Sequence, residues 1–197
     1  MYVSDGEDAL EFLDKGPFLD SEHMLTARGI KLYADGAIGS RGAAFFEKYD
    51  DYETKGFLIF QKKETMPKLI KALIKGIQIQ THAIGDLANR VTLDWYEEAF
   101  NSVEPANRMI MNPRWRIEHS QNIQPIDQKR FADLAVIASM QPSHAIGDLH
   151  FAHERLGVER LSNAYTWRSL IDLGVLVAGG SDAPVEIGDP RIEFKAA

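Results

Sequence analysis

The sequence predicts an α/β fold in which parallel strands alternate with helices, and three observations lead to this prediction. Apolar, β-rich runs recur along the chain, and stretches with helical periodicity lie between them. Glycine or proline marks several boundaries, at Gly76, Pro125 and Gly174. The sequence contains neither an internal repeat nor a linker. We therefore expect residues 1–197 to form a single α/β domain around a parallel sheet.

The predicted elements can be placed in order. Five strands are expected in the apolar runs, at 29–35, 77–82, 114–119, 136–141 and 175–180. Helices are expected between them, at 65–75, at about 87–100, from Pro125 onward and through 165–173. Residues 35–57 are too polar and glycine-rich for a core element, so they are predicted to form a long loop. Loops of this length in compact domains usually carry function.

Composition narrows the class of protein. With 45% hydrophobic and 26% charged residues, the chain has the balance of a globular domain with a core. The net charge of −7, without clusters of lysine or arginine, argues against a nucleic-acid partner. No apolar run is long enough to span a membrane and the first residues are acidic, so no membrane partner and a cytoplasmic location are expected. Because there is no cysteine, any metal ligand must be a nitrogen or oxygen donor.

Residues of metal-ligand type stand where the predicted strands end. Lys31 lies in the first strand, while His82, His119 and Asp182 end or follow later ones. Imidazole and carboxylate groups suit a divalent metal such as zinc. A (β/α) barrel builds its active site from the carboxyl ends of successive strands, which meet on one face. The pattern therefore indicates a metal-dependent hydrolase.

Five segments in a fixed order carry a family resemblance: GIKLYADGAIGSRGAA, THAIGD, RIEHSQ, SMQPSH and GGSDAPV. Together they resemble the amidohydrolase superfamily, and within it the branch that includes the N-substituted formamide deformylases. The resemblance runs from about Gly29 to Pro190. It implies a TIM (β/α)₈ barrel that binds one or two divalent ions, zinc being expected, and that hydrolyses C–N bonds in small amide-type substrates.

The resemblance also implies roles for individual residues. His82 and His119 match the metal ligands of the fifth and sixth barrel strands. Asp182 matches the aspartate of the eighth strand, which binds metal and acts as general base and acid. Lys31 matches the fourth-strand lysine, which becomes a bridging ligand once its amine is carboxylated. We further expect Arg41, Gln141 and His144, on the same predicted face, to hold the substrate or stabilise the oxyanion.

One family motif is absent, because no His-x-His occurs in the sequence. The chain therefore resembles only the fourth to eighth strands, a partial barrel, and is interpreted as a fragment of the catalytic domain. A complete barrel takes roughly 250 residues. The first and last strands, near Lys31 and Ala178, are expected to present unpaired backbone groups and apolar faces, which predicts either association with another copy or an open half-barrel with weak or absent metal binding.

Several residues have plainer interpretations. Lys31 could instead pair with Asp35, four residues further on, and Asp182 could be a turn or helix-cap residue. His150 and His153 are interpreted as solvated surface residues. Structural roles are also predicted for a remaining group: Asp86 as a helix cap, Gly85 in a tight turn, and Arg116 and Glu118 pointing away from His119.

Two other functions remain open at this point. The first is a metal-poor unit that only binds or supports another molecule, which the absence of His-x-His favours. The second is a Schiff-base aldolase with Lys31 as nucleophile. Metal content would distinguish the first from a hydrolase, and borohydride trapping of a substrate adduct would detect the second.

Overall fold

The computed structural model describes residues 1–22 and 24–197. Its strands, numbered in chain order, are β1 (Tyr2–Ser4), β2 (Phe18–Leu19), β3 (Thr26–Ala27), β4 (Gly29–Tyr33), β5 (Gln78–Ala83), β6 (Arg116–His119), β7 (Ile137–Met140) and β8 (Val177–Gly179). Six of them form one sheet in the order β1-β4-β5-β6-β7-β8, and β2 pairs with β3 in a separate antiparallel ladder. Every pair in the large sheet is parallel, which confirms the α/β fold with a parallel sheet.

The large sheet has one strand more than the sequence predicted. The five predicted strands correspond to β4 to β8, and β1 adds a sixth. A run of three residues is too short to show strand periodicity, so β1 left no signal in the sequence. It pairs with β4 from Tyr2 opposite Gly29 to Ser4 opposite Lys31, so the prediction that the Lys31 strand lies at an edge is wrong. The edges are β1 and β8, and association with another copy through them stays a prediction.

Helices cover the connections between these strands. They are α1 (Glu7–Lys15), α2 (Lys62–Lys75), α3 (Asp86–Ser102), α4 (Pro125–Asp133), α5 (Pro142–Asp148), α6 (Ala152–Leu161), α7 (Trp167–Asp172) and α8 (Pro190–Ala196). Gly76 follows α2 with a left-handed φ of 69°, which the sequence signal predicted, and Pro125 opens α4 as expected. None of the helices in the described ranges combines the length and apolar character needed to cross a bilayer.

Some helices were not predicted. No helix was predicted between β7 and α7, yet this segment contains α5 and α6. Both are short, and Gly157 breaks the helical geometry inside α6 with a φ of 69°, which obscures the periodicity in the sequence. Helices α1 and α8, near the two ends of the chain, were also missed.

The predicted roles of Gly85 and Asp86 need correction. Gly85 itself occupies the N-cap position of α3, with a φ of −73° that any residue could adopt, so a tight turn is not what requires glycine there. Space is the reason, because a Cβ at this position would lie 2.0 Å from the carbonyl oxygen of Ala44. Asp86 is the first residue of α3 and accepts the backbone N–H of Phe46 at 3.0 Å, so it anchors the long loop rather than capping its own helix.

The two faces of the sheet differ in polarity. On one face, apolar side chains such as Ile30, Ile79 and Ile117 are fully buried in the main core. The largest buried side chain, Trp115, packs edge-on against Tyr96 with ring centroids 4.9 Å apart. In a strand, alternate side chains point to opposite faces. The other face therefore receives the polar residues of the same strands, and these include the predicted site.

The long loop between β4 and α2 is irregular, as predicted, and it is firmly anchored. Arg155 and Arg160 of α6 form ion pairs with Asp51 and Asp50 of the loop. Phe45 and Tyr49 contribute to a second small core beneath it. The loop is thereby held beside the carboxyl ends of β4 and β5.

Candidate metal and catalytic site

The site centres on two histidines from neighbouring strands. His82 lies near the carboxyl end of β5, and His119 ends β6. Their ring centroids are 4.5 Å apart, with the ring planes inclined at 70°. In register, His82 lies opposite Glu118, and His119 lies opposite Ala83, whose side chain is on the helix-facing side. A left-handed φ of 73° at His119 interrupts the strand alternation and accompanies this close approach of its ring to His82.

His119 is held in one protonation state. Its side chain is buried, and Nδ1 lies 2.8 Å from Oε1 of Gln141, which can only accept a hydrogen bond. Nδ1 therefore carries the hydrogen and Nε2 keeps its lone pair. Burial lowers the pKa of His119 well below its usual value, and the neighbouring His82 and Lys31 lower it further. A neutral imidazole with one free nitrogen is the form that binds a metal.

His82 makes its contacts through the other ring nitrogen. Its Nε2 lies 3.3 Å from the carbonyl oxygen of Gly36 and 3.4 Å from Oδ1 of Asp35. Both neighbours are acceptors, since a carbonyl has no hydrogen to donate and the carboxylate of Asp35 already accepts three backbone N–H groups. The hydrogen of a neutral His82 ring therefore belongs on Nε2, and Nδ1 is the nitrogen with the free lone pair.

Lys31 lies on the same sheet face, two strand positions before the end of β4. In register it neighbours Gln80 of β5, which in turn neighbours Arg116 of β6. Burial lowers the pKa of Lys31 below its usual value, while the charges of Glu118 and Asp182 oppose part of that shift. The lowered pKa increases the fraction of neutral amine, the form that carboxylation or Schiff-base formation requires.

The alternative pairing of Lys31 with Asp35 is wrong. The Asp35 carboxylate accepts the backbone N–H groups of Ala44, Ile84 and Gly85 and lies beside His82. It therefore serves the loop and the end of β5 instead of the lysine.

The prediction that Arg116 and Glu118 point away from His119, on the face opposite the site, is also wrong. Glu118 is the register partner of His82, and parallel register partners point to the same face of a sheet. Its Oε1 lies 2.7 Å from Nε of Arg116, and Arg116 Nη2 donates to Oγ of Ser139 at 2.8 Å. Sequence reasoning assumed that His119 followed the alternation of its own strand. Because it does not, the buried Glu118 belongs to the site face.

Asp182 follows β8 and is exposed, with a left-handed φ of 57°. Because β8 is parallel to the other strands of the sheet, Asp182 lies at the same carboxyl end as the histidines, and its charge opposes part of the lowering of the pKa of Lys31 by burial. His144, in the first turn of α5, stacks on His119 with ring centroids 5.7 Å apart and lies 3.8 Å from a carboxylate oxygen of Glu186. The ring of His119 thus packs against those of both His82 and His144, and the charge of Asp182 reaches Lys31.

Two of the predicted substrate-binding residues are occupied by other contacts. Gln141 lies in the cluster, but its Oε1 is bonded to His119. Arg41 forms a two-fold ion pair with Asp51, at 3.0 and 2.7 Å, which keeps its guanidinium in the loop. Their roles in holding substrate stay predictions. His150 and His153 are exposed, in keeping with the interpretation as surface residues.

The donor set fits a divalent metal only in part. Two imidazoles, each with one ring nitrogen free of a protein acceptor, suit zinc and similar ions. Across residues 1–22 and 24–197, however, no three His, Asp or Glu side chains are close enough together to enclose an ion. The described residues therefore supply a pair of histidines with a lysine and an aspartate nearby, and not a closed site.

A parallel α/β sheet with ligand-type side chains at its carboxyl end is typical of metal-dependent hydrolases built on a (β/α) barrel. The chain matches the Amidohydrolase family over residues 3–197 and belongs to that family. This establishes the coarser part of the sequence resemblance, membership of the Amidohydrolase family.

Known proteins of similar sequence and structure agree. Protein LONG AFTER FAR-RED 3 of Arabidopsis thaliana is 37% identical, over 94% of this chain and 31% of its own length. "Putative amidohydrolase YtcJ" of Bacillus subtilis (strain 168) is 36% identical, over 96% of this chain and 34% of its own. The chain thus spans about a third of the length of these curated relatives.

Solved structures give the same result. Two uncharacterized metal-dependent hydrolases, from Pyrococcus furiosus and Pyrococcus horikoshii OT3, superpose with a TM-score of 0.83 at 31% identity. The alignments cover 99% and 100% of this chain and 39% and 38% of theirs. A. niger ochratoxinase shares the fold alone, with a TM-score of 0.51 at 15% identity over 86% of this chain and 34% of that chain.

Proposed function

We propose that this chain supplies the carboxyl-end part of the active site of a metal-dependent hydrolase that cleaves C–N bonds in small amide-type substrates. The observation that carries the proposal is the His82–His119 pair, with ring centroids 4.5 Å apart at the ends of adjacent parallel strands. Each ring has one nitrogen fixed by a protein acceptor, which leaves the other free to bind metal.

In this proposal His82 and His119 hold a divalent ion, zinc being favoured by the two imidazole ligands, with Asp182 and a carboxylated Lys31 as further ligands. When bound, such an ion polarises a carbonyl oxygen and lowers the pKa of water to about 7. The burial and lowered pKa of His119 keep its ring uncharged at neutral pH, so it does not repel a cation.

Further residues of the site transfer the proton and bind the substrate in this proposal. Asp182, exposed at the end of β8, is placed to take the proton of the attacking water on its carboxylate and to pass it to the leaving nitrogen. His144 stacks on His119 and faces the same end of the sheet, where its ring can donate to a carbonyl oxygen of the substrate. Arg41 and Gln141 would act on the substrate only after leaving their present partners.

The substrate class follows from this chemistry and from the resemblance. Formamides, other amides, cyclic amides and carbamates can all be cleaved by water and a base acting on a polarised carbonyl. The resemblance to N-substituted formamide deformylases makes N-substituted formamides the first substrates to test. Because the curated relatives are about three times as long as this chain, the residues that shape the substrate pocket need not all lie in it.

The test measures metal and hydrolysis together. The purified protein is dialysed against Zn²⁺ and then buffer, its zinc is measured by elemental analysis, and it is assayed with formamides, cyclic amides and carbamates. We expect about one zinc or more per chain, and release of amine that stops when a chelator removes the metal. A protein that retains no zinc and cleaves none of the substrates contradicts the proposal.

A second candidate is a metal-poor unit that binds or supports another molecule. It is favoured by one observation, that the described residues bring no three acidic or histidine side chains into an ion-binding group. The same experiment separates the two, since the second candidate predicts stable folded protein without bound zinc or amidase activity.

A further inference from the structure

We propose that Asp35 is a positioning residue, which fixes the ring orientation of His82 and keeps its hydrogen on Nε2, so that Nδ1 is presented as the ligand nitrogen. The role rests on the proposed function, because a defined ligand nitrogen matters only if His82 binds metal. The effect of Asp35 on the tautomer of His82 can nevertheless be measured on the protein without metal.

Asp35 is itself held firmly. It follows β4 by two residues and is 2% exposed. Its carboxylate accepts three backbone N–H groups, from Ala44 at 2.9 Å, Ile84 at 3.0 Å and Gly85 at 2.8 Å. Ala44 belongs to the long loop, while Ile84 and Gly85 directly follow β5. Because rotating the carboxylate would break bonds to both segments, its oxygens are fixed relative to the end of the strand that carries His82.

The contact with His82 uses one of these fixed oxygens. Oδ1 of Asp35, which accepts the N–H of Ile84, also lies 3.4 Å from Nε2 of His82. The carbonyl oxygen of Gly36, the next residue, lies 3.3 Å from the same nitrogen. Two acceptors on adjacent residues thus meet a single ring nitrogen. They stabilise the tautomer with hydrogen on Nε2 and oppose a ring flip that would bring Nδ1 to that position.

The two ligand histidines are thereby complementary. Gln141 holds the hydrogen of His119 on Nδ1, and Asp35 together with the carbonyl of Gly36 holds that of His82 on Nε2. The free nitrogens are Nε2 of His119 and Nδ1 of His82, on rings whose centroids are 4.5 Å apart. Partners of this kind, which orient a ligand through its other ring nitrogen, change metal affinity by about 10–100-fold when they are removed.

Asp86 offers a matched comparison for the role of Asp35. It is also a buried carboxylate that anchors the long loop, accepting the N–H of Phe46 at 3.0 Å and the side-chain amide of Gln124 at 2.5 Å. Among the described residues, its hydrogen bonds do not involve His82. Asp86→Asn therefore perturbs loop anchoring without touching the ring, whereas Asp35→Asn perturbs both.

The experiment reads the tautomer directly. The protein is labelled with ¹⁵N, and long-range ¹H–¹⁵N correlation spectra of the imidazoles are recorded without metal for wild type, Asp35→Asn and Asp86→Asn, with His82→Gln to assign its signals. We expect wild-type His82 to be protonated on Nε2. In Asp35→Asn we expect a mixture of tautomers and Co²⁺ binding weakened about 10–100-fold, whereas Asp86→Asn keeps the wild-type pattern.

Two results would overturn the positioning role: wild-type His82 protonated on Nδ1, or a folded Asp35→Asn protein with an unchanged His82 tautomer and unchanged Co²⁺ affinity. If Asp35→Asn does not fold, the position of the hydrogen on wild-type His82 tests the role, since a hydrogen on Nδ1 contradicts it. Failure of the proposed function gives a different result from failure of the positioning role. In that case wild type takes up no Co²⁺ in the titration, while the His82 tautomer still depends on Asp35.

Discussion

The ring centroids of His82 and His119 lie 4.5 Å apart although the two residues are not register partners in the sheet. Register pairs His82 with Glu118 and pairs His119 with Ala83. The two rings meet because His119 leaves β6 with a φ of 73°, a conformation that costs a non-glycine residue of the order of 1 kcal/mol or more. Such strain is common where a side chain must be directed to a functional position.

The first prediction tests the two histidines as ligands. Replacing both His82 and His119 with alanine should reduce bound zinc to the background level, because each ring supplies one free nitrogen. Zinc per chain is measured by elemental analysis after equilibrium dialysis. His153→Ala is the control, since this exposed histidine lies outside the cluster and should leave the zinc content unchanged. A double variant that kept wild-type zinc would show that the ligands lie elsewhere.

The second prediction concerns Asp182 in a protein that contains this chain and hydrolyses an amide. Asp182→Asn keeps the size of the side chain but removes its ability to accept a proton, so kcat should fall by about 10²–10⁴-fold. Steady-state kinetics with the best substrate of the panel provides the measurement. Asp172→Asn, at an exposed position in α7, is the control and should keep the wild-type kcat. Asp182 would lose its assigned role if its variant kept most of the activity.

The third prediction follows from the lowered pKa of His119. The unfolded chain binds a proton on this histidine near pH 6.5, whereas the folded chain binds it only at much lower pH, chiefly because the ring is buried. Below the unfolded pKa the unfolded state therefore holds one proton more, and the free energy of unfolding decreases as pH falls through this window. Above the unfolded-state pKa, His119 is neutral in both states and contributes no pH dependence to the free energy of unfolding.

Urea unfolding of wild type and His119→Gln without metal, at a series of pH values from neutral to mildly acidic, measures this effect. With decreasing pH, the free energy of unfolding should decrease more steeply for wild type than for His119→Gln, because glutamine does not titrate. The difference in slope should correspond to one bound proton. Parallel curves for the two proteins would mean that His119 is protonated equally in both states.

Much of the site could be predicted from the sequence, and the misses have physical causes. His82 and Asp182 were placed correctly at the carboxyl edge of the sheet because ligand-type residues at the ends of apolar runs mark that edge. Glu118 was assigned to the wrong face because strand alternation on β6 was applied through His119, and a single left-handed residue breaks that rule. Asp35 was considered only as a partner for Lys31, since its three backbone bonds depend on where distant segments meet.

The fold likewise contains elements that could be predicted from the sequence and elements that could not. Strands β4 to β8 have enough residues, or clear enough ends, to be recognised, and their parallel order follows from the helices between them. Strand β1 has three residues, and its assignment depends on hydrogen bonding to β4. Information of that kind is contained in tertiary contacts and not in local periodicity.

The fourth prediction tests the bond between Gln141 and His119. Gln141→Met keeps the length of the side chain but leaves the buried Nδ1–H of His119 without an acceptor, so the free energy of unfolding should fall by about 1–3 kcal/mol. Urea unfolding at neutral pH measures it. Gln80→Met is the matched control on the same sheet, because Oε1 of Gln80 is buried without a hydrogen-bond partner in the described structure and loses nothing on replacement. Equal losses in the two variants would contradict the importance of the bond.

The last prediction concerns the contact between Gly85 and the long loop. A Cβ on Gly85 would lie 2.0 Å from the carbonyl oxygen of Ala44, and the obstacle is backbone that cannot rotate away. The same carbonyl accepts the N–H of Leu87, so moving it disturbs the start of α3 as well. Gly85→Ala should therefore lower the free energy of unfolding by about 1–3 kcal/mol, the usual cost of overpacking. It should also weaken Co²⁺ binding, because the N–H of Gly85 helps to hold Asp35 beside His82.

Gly147→Ala is the control for this substitution. It lies within α5, and a Cβ there would meet no atom within 4 Å, so alanine should be neutral or stabilise the protein by about 0.5–1 kcal/mol through its higher helix propensity. Urea unfolding and Co²⁺ titration of both variants provide the comparison. If Gly85→Ala matched Gly147→Ala in both measurements, the loop would not be packed against the end of β5 as closely as the structure shows, and the support of His82 through Asp35 would lose its basis.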